Sequence, residues 1–393
     1  MPQLSATTVP PRAFHLMAKP VGPLCNLNCA YCFYREKQAL YPRGHDFRMP
    51  DNVLEQYVRD YIGRQDSPEI NFTWQGGEPT VLGLPFYQRV VELQRRFANG
   101  KRITNALQTN GILLDDEWCA FLRRERFLVG LSVDGPRPLH DRYRVDRRGR
   151  PTFDRVMAAW ERLQRHRVAY NTLTVVHRFN AAAPLEVYRF LRAHGARFMQ
   201  FIPLVERVGV GGAGLAPPPG ASAGAAAAPV TPWSVTPEQW GAFLCAIFDE
   251  WIRRDVGRVF VMAFENHLAS WLGLPANLCV FAQQCGTALA LEHNGDLYPC
   301  DHYVYPEYKL GNITLTPLDE LVYGAAQRRF GRDKADTLPQ YCRRCAYRFA
   351  CNGDCPKHRF AITPDGESGL SYLCAGYRQF FAHIDPAMRL LAD

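Results

Sequence analysis

The amino-acid sequence predicts an α/β fold in which a partial (β/α)6 barrel precedes a smaller, cysteine-rich domain. Two observations predict it. Short apolar, β-rich runs alternate with amphipathic helical patterns through the first half, which is typical of parallel βαβ units. Eight of the thirteen cysteines then lie in the last third of the chain, where the helical pattern fades. With 393 residues, 47% of them hydrophobic, the chain can bury a core in each of two domains.

Six strands are predicted in the first half, with helical stretches such as 85–97 and 153–166 between them. The strands cover residues 15–19, 69–74, 104–108, 127–133, 170–176 and 198–202. Six parallel strands form an incomplete barrel, and the functional residues of such barrels gather at the carboxyl ends of the strands.

The predicted domains are a barrel at residues 1–235, linking helices at 236–275 and the cysteine-rich domain at 276–393. Within the barrel, residues 208–229 are rich in Gly, Ala and Pro and have almost no charge. Such a composition cannot bury a core, so this segment is predicted to be a mobile loop or linker.

Charge and hydropathy narrow the functional classes. The formal net charge is +8, from 46 Lys and Arg against 38 Asp and Glu. The densest basic run, 142–150, contains no aromatic ladder, which favours a solvated loop over a nucleic-acid site. No apolar run reaches the roughly 20 residues of a bilayer span, and residues 1–14 lack the features of an export signal. We therefore expect a cytoplasmic protein with no nucleic-acid and no membrane partner.

Three closely spaced cysteines, Cys25, Cys29 and Cys32, follow the first predicted strand. Thiols are kept reduced in the cytoplasm, where such a group favours zinc or an iron–sulfur cluster. A structural zinc site and most cubane clusters take four protein ligands, whereas no fourth Cys or His is adjacent here. Three thiolates leave one iron of a cluster open for catalysis. A zinc site completed by a distant residue remains the alternative.

The pattern Cys-x3-Cys-x2-Cys followed by an aromatic residue resembles the signature of the radical S-adenosylmethionine superfamily. The resemblance implies a partial, TIM-like (β/α)6 barrel and a [4Fe–4S] cluster on Cys25, Cys29 and Cys32. The open iron would bind the amino and carboxylate groups of S-adenosylmethionine, and reductive cleavage would release a 5′-deoxyadenosyl radical that abstracts hydrogen.

Short motifs at the ends of later strands fit the same resemblance, although each alone is an ordinary turn. The run Gln75-Gly76-Gly77-Glu78 follows the second strand, and glycines there let the backbone approach a ligand closely. The resemblance implies that the cofactor-binding residues are Tyr34, Gln75, Gly76, Gly77, Glu78, Ser132 and Arg144, the last of them by neutralising the cofactor carboxylate.

The eight clustered cysteines of the second domain suffice for two four-cysteine clusters. They are Cys279, Cys285, Cys300, Cys342, Cys345, Cys351, Cys355 and Cys374. Asn294-Gly295 predicts a hairpin that returns Cys300 to the same end as Cys285. Spacing alone does not assign the eight to sets, and two zinc sites, as in a double zinc ribbon, remain an alternative.

This cysteine arrangement resembles the SPASM extension of peptide- and protein-modifying radical enzymes, which implies two auxiliary [4Fe–4S] clusters. By that pattern the first cluster is held by Cys279, Cys285, Cys300 and Cys355. The second is held by Cys342, Cys345, Cys351 and Cys374. The remaining Cys119 and Cys245 lie on helical segments and are predicted to be buried structural thiols.

Residues 72–80 (FTWQGGEPT), 298–303 (YPCDHY) and 308–313 (YKLGNI) resemble the anaerobic sulfatase-maturating enzymes. The resemblance implies oxidation of a Cys or Ser in an unfolded sulfatase segment, Cys/Ser-x-Pro-x-Arg, to Cα-formylglycine. It also implies an electron donor such as flavodoxin or ferredoxin. Asp301 would be the catalytic base, with the alternative that it only orients the region of Cys300.

Two other functions stay open at this stage. The same radical chemistry in a ribosomal-peptide maturase would install a crosslink or epimerise a residue. Such enzymes often carry an N-terminal peptide-binding domain, for which the residues before Cys25 are too few. A non-enzymatic zinc-binding module is the second alternative. The 208–229 segment departs from the family pattern and is expected near the substrate side.

Overall fold

A ten-stranded sheet runs through the protein, for which the computed structural model describes residues 13–212, 214–220 and 228–392. Its strands are β1 His15–Lys19, β2 Glu69–Trp74, β3 Arg102–Thr109, β4 Leu128–Ser132, β5 Ala169–Val176, β6 Phe198–Pro203, β7 Phe260–Val261, β8 Ala288–Glu292, β9 Asp296–Tyr298 and β10 Gly311–Asn312. A separate antiparallel pair is formed by β11 Ala361–Ile362 and β12 Ser368–Leu370. The sequence predicts no export signal in residues 1–14, and of these residues 1–12 lie outside the described part of the chain.

Strands β1 to β7 are parallel neighbours in chain order, which confirms the predicted α/β fold with an incomplete barrel. All six predicted strands are present, and their ends differ from the prediction by at most two residues. Strand β7 was not predicted. It lies in the segment 236–275, described above as linking helices, and its two residues are too few to show a pattern.

Helices connect the strands and continue through the cysteine-rich part of the chain. They are α1 Asp51–Gly63, α2 Leu84–Phe97, α3 Asp116–Arg124, α4 Arg137–His140, α5 Phe153–Arg165, α6 Pro184–Ala193, α7 Pro237–Arg254, α8 Met262–Trp271, α9 Leu318–Val322, α10 Ala325–Asp336, α11 Gln340–Arg343, α12 Arg348–Cys351 and α13 Cys374–Ala392. Among the described residues, no helix combines the length and hydropathy that crossing a membrane requires.

The periodicity of apolar residues explains how these elements pack. In β2, Ile70, Phe72 and Trp74 are buried at alternate positions, as expected of a strand with one face on the core. In α2, Tyr87 and Val90 are buried at helical spacing and face the same core. The helices therefore pack against the sheet and fix the positions of the strand ends. The loops that follow these ends carry the candidate site.

Strand β1 joins the two halves of the chain. It pairs in parallel with β2 on one side and with β8 on the other, in a register that runs from His15 opposite Ala288 to Lys19 opposite Glu292. The following turn at Gly295 has a φ of 88°, and β8 pairs antiparallel with β9, so the predicted hairpin is confirmed. The cysteine-rich part therefore extends the barrel sheet directly.

Helices α7 and α13 make a second connection between the halves. A capping box begins α7, with the Thr236 side chain accepting from the Gln239 backbone. Farther along, Gly241 lies against the α13 backbone, where an added Cβ would come within 2.8 Å of the Gly376 carbonyl oxygen. A side chain at either glycine would separate the two helices.

We predict that Gly241→Ala destabilises the protein by about 1–3 kcal/mol, because the added methyl group overpacks the contact of α7 with α13. Gly63→Ala is the matched control, since Gly63 ends α1 and nothing lies within 4 Å of its added Cβ. Thermal unfolding of the reconstituted protein should show a lower Tm for the first variant, and a Tm unchanged or raised for the second. Equal Tm values for the two variants would contradict this account of the helix contact.

Candidate active site and iron–sulfur sites

The loop after β1 brings the first three predicted cluster ligands together. Burial raises the pKa of the Cys25 thiol to about 12. Cys25 and Cys32 pack against the apolar cluster that contains Cys29, which places all three in one neighbourhood. The Leu27 backbone N–H donates to Cys25 Sγ at 3.3 Å, and such a bond stabilises a thiolate ligand.

The Gly76-Gly77-Glu78 turn packs directly against the start of this cysteine loop. A Cβ at Gly77 would lie 2.0 Å from the Leu24 carbonyl oxygen, and the Glu78 N–H donates to that same oxygen at 2.8 Å. Only glycine allows so close an approach, and the φ of 50° at Gly77 also favours it. The motif therefore sets where the chain enters the loop of Cys25.

Glu78 itself is buried, and its carboxylate is occupied by hydrogen bonds from the ends of neighbouring strands. It accepts from the Thr80 and Thr109 hydroxyl groups at 2.6 Å each and from the Asn110 N–H at 2.7 Å. Burial raises the pKa of this carboxyl group, and these donors oppose the rise. The structure thus shows Glu78 tying β2 to β3 beside the cysteine loop, while a contact with the cofactor remains a prediction.

Arg144 and Ser132 lie on the same side of the barrel as the cysteine loop. Arg144 Nε donates to Asp134 Oδ2 at 2.9 Å, and Tyr31, inside the cysteine loop, donates its hydroxyl to the same oxygen. Burial opposes ionisation of Asp134, but the guanidinium holds the pKa of this carboxyl group below its usual range. The sequence did not predict this pairing, because no local motif links Asp134 to Arg144. Ser132 is the buried last residue of β4.

Tyr34 and Gln75 lie near the carboxyl end of β1. The Tyr34 hydroxyl donates to Glu292 Oε1 at the end of β8, and its ring lies 4.6 Å from the Lys19 ammonium nitrogen. Gln75 is half-buried, and its backbone N–H donates to the Ala18 carbonyl oxygen. The structure shows these protein partners for Tyr34 and Gln75, and their contact with the cofactor remains a prediction.

Four of the later cysteines form one neighbourhood in the structure. Burial raises the pKa of the Cys279 thiol to about 11, and Cys285 adds to the rise. Burial also raises the pKa of Cys300, with Cys355 and Cys279 contributing. The pKa of Cys355 is raised by burial and, further, by its neighbours Cys285 and Cys279. These four are the set implied for the first auxiliary cluster.

The other four later cysteines line a cavity of about 360 Å³. They are Cys342, Cys345, Cys351 and Cys374. Burial raises the pKa of the Cys351 thiol to about 12 and that of Cys374 to about 11. Cys342 contributes to both rises, so these thiols surround a common space. Both helical cysteines lie apart from the two sets: Cys119 is buried, as predicted, whereas Cys245 is only partly buried.

Asp301 lies at the junction of the two halves. It begins the 3-10 turn Asp301–Tyr303 after Cys300, and its Oδ2 is 3.6 Å from the Nζ of Lys19 at the end of β1. Burial alone would raise the pKa of Asp301, but His302 and Lys19 hold it below its usual range. Sequence reasoning missed Lys19, because a lone lysine at a strand end carries no motif.

A cavity of about 390 Å³ opens beside His302, the residue after Asp301. Its wall is formed by Phe33, Glu36, Val205, Glu206, Arg207, Leu215, Ala216, Pro217, Pro218, His302, Tyr305, Lys357 and Phe360. The ammonium of Lys357 pairs with Glu206 across it. Residues 215–218 belong to the segment predicted as a loop, and Arg207 holds them by donating to the Pro217 carbonyl oxygen. The expectation that this segment lies near the substrate side remains a prediction.

Comparisons with known proteins agree with this geometry. Residues 20–191 match the model of the radical SAM superfamily, and residues 279–346 match that of the SPASM iron–sulfur cluster-binding domain. A serine-type anaerobic sulfatase-maturating enzyme of Bacteroides thetaiotaomicron is 46% identical over 98% of this chain and 93% of its own length. A cysteine-type enzyme of Clostridium perfringens strain 13 is 32% identical over 96% and 98%.

Similarity to a solved structure covers nearly the whole chain as well. Native anSMEcpe with bound AdoMet and Cp18Cys peptide has a TM-score of 0.83 and 31% sequence identity, over 97% of this chain and 99% of that one. The cofactors of a chain with these two domains are S-adenosylmethionine and [4Fe–4S] clusters. This chain belongs to the anaerobic sulfatase-maturating enzymes of the radical S-adenosylmethionine superfamily.

Proposed function

We propose that this protein oxidises a Cys or Ser side chain of an unfolded sulfatase segment, Cys/Ser-x-Pro-x-Arg, to Cα-formylglycine. The observation that carries the proposal is the meeting of three features at the end of β1. These are the loop of Cys25, the carboxylate of Asp301 and a cavity walled by both halves of the chain. Identity of 46% to the serine-type relative, against 32% to the cysteine-type one, supports serine as the natural target.

Cys25, Cys29 and Cys32 would hold the cluster that binds S-adenosylmethionine, and their shared neighbourhood supports that assignment. When bound, the cofactor and its cluster supply removal of a hydrogen atom from the target Cβ. Around them we assign Tyr34, Gln75, Gly76, Gly77, Glu78, Ser132 and Arg144 to the cofactor pocket. Glu78 accepts from the Asn110 N–H and Arg144 donates to Asp134, and these contacts support a role for both residues in shaping the proposed pocket.

Asp301 would accept the proton that leaves the target thiol or hydroxyl group. Its position supports the role, because it joins the end of β1 to the cavity through the neighbouring His302. The competing role, orientation of the Cys300 region, is supported only by a long Cys300 Sγ to Asp301 Oδ1 contact of 3.6 Å.

The two later cysteine sets would hold auxiliary clusters that accept the electron leaving the substrate. The second set lies in a cavity that Arg348 and the exposed Arg378 also line. A basic rim of this kind suits an acidic electron-transfer partner, so we propose exchange with a carrier such as flavodoxin or ferredoxin. The eleven cysteines assigned to clusters must stay reduced to bind iron, which fits the reducing cytoplasm as the site of the reaction.

The direct test is anaerobic incubation with S-adenosylmethionine, a reductant and two peptides that differ only in Cys or Ser at the target position. We expect mass spectrometry to show formylglycine in both, with the Ser peptide converted at least as well, together with 5′-deoxyadenosine. A third peptide with Ala at the target should stay unchanged. If 5′-deoxyadenosine forms while the Cys and Ser peptides stay intact, the sulfatase assignment must be given up.

The cluster assignments predict the iron content of single variants. Cys279→Ala and Cys342→Ala should each lower the iron of anaerobically reconstituted protein from about twelve to about eight atoms per chain, because each removes a ligand of one auxiliary cluster. Cys119→Ala is the control and should keep all of its iron, since Cys119 lies outside every set. Full iron in either cluster variant, or a loss in the control, would show that the sets are wrong.

A further inference from the structure

We propose that Lys19 is a positioning residue that orients the Asp301 carboxylate toward the substrate cavity. This rests on the proposed function, in which Asp301 accepts the substrate proton. Lys19 lies outside the three-cysteine motif and the glycine turn, and the inference comes from the burial of its side chain, the path of its stem and its partners.

Lys19 lies at the junction of the two halves of the protein. It is the last residue of β1, between the end of β2 and the end of β8, and its side chain has 1% exposure. A fully buried ammonium group is costly unless a negative group compensates it, so the fold retains Lys19 only with a carboxylate beside it.

The stem of Lys19 is directed by the glycine turn after β2. A Cβ at Gly76 would lie 2.5 Å from Lys19 Cδ, and Gly76 has a φ of 96°. Any side chain at position 76 would displace the lysine stem and strain the turn. The Gly-Gly-Glu motif therefore opens the path along which the ammonium group reaches Asp301.

Asp301 is the ion-pair partner of Lys19. Lys19 Nζ is 3.6 Å from Asp301 Oδ2, within a space that no solvent reaches from the lysine side. The neighbouring Glu292 already accepts from the Tyr34 hydroxyl and lies 3.1 Å from His293 Nδ1. The Glu292 carboxylate therefore has hydrogen-bonding partners other than Lys19.

Other lysines near the site have partners of their own. Lys357 pairs with Glu206, and Lys37 Nζ lies 3.2 Å from the centre of the Tyr305 ring. Among the described ion pairs, that of Lys19 is the one that reaches Asp301. Cys300 is assigned as a cluster ligand and then has no proton to donate to Asp301, so the ion pair with Lys19 is the contact that orients this carboxylate.

The test is a double-mutant cycle of Lys19→Met with Asp301→Asn in the reconstituted enzyme, assayed with the Cys peptide. Methionine keeps the length of the stem and removes the charge. We expect Lys19→Met to lower kcat for aldehyde formation on the order of 10- to 100-fold, with an unchanged KM. Iron content and 5′-deoxyadenosine formation should match those of the wild type. The double variant should be no worse than Asp301→Asn alone, because Lys19 acts through Asp301.

The outcomes separate this inference from the proposed function. Aldehyde formation retained by Asp301→Asn would remove Asp301 from the base role. If Asp301→Asn is inactive while Lys19→Met is fully active, the positioning role is wrong. A loss of iron or of 5′-deoxyadenosine in Lys19→Met, or losses that multiply in the double variant, would show a structural role instead. Lys101→Met, whose ammonium binds only the backbone of residues 62 and 65, should leave all four readouts unchanged.

Discussion

The active site depends on the double pairing of β1, which hydrogen-bonds in parallel to β2 on one side and to β8 on the other. Because side chains at the ends of parallel neighbours meet, this pairing brings together Lys19, Glu292 and the turn after Trp74. The cysteine-rich half is thereby fixed to the barrel through a continuous sheet, and Asp301 lies beside Lys19 at the end of β1. The contact of α7 with α13 reinforces the same arrangement from outside.

Glycine and buried charge complete the junction. The two glycines after β2 serve different neighbours, since Gly77 admits the backbone that leads into Cys25 and Gly76 admits the stem of Lys19. The buried carboxylates around them are hydrogen-bonded. Glu78 accepts from a hydroxyl group and a backbone N–H, and Asp134 accepts from Arg144. Such fully occupied groups hold their geometry in an apolar interior, which a site that confines a radical requires.

Much of this was predictable from the sequence, where local signals are strong. Apolar alternation located six strands, Asn294-Gly295 located the hairpin, and the spacing of Cys25 to Cys32 indicated the cluster loop. Contacts between distant segments were not predictable. The pairing of β1 with β8, the approach of Lys19 to Asp301 and the seating of residues 215–218 on the cavity wall depend on tertiary packing, which leaves no local pattern. Strand β7 was not predicted either, because its two residues are too few to show a periodic pattern.

The central claim is that the cofactor of the barrel removes a hydrogen atom from the Cβ of a residue seated in the cavity beside Asp301. It is tested most directly with a Ser or Cys peptide in which both Cβ hydrogens are deuterium, in a single turnover with the wild-type enzyme. The account predicts one deuterium in the 5′-deoxyadenosine for each aldehyde formed. Aldehyde accompanied by unlabelled 5′-deoxyadenosine would contradict it, because the hydrogen would then come from another position.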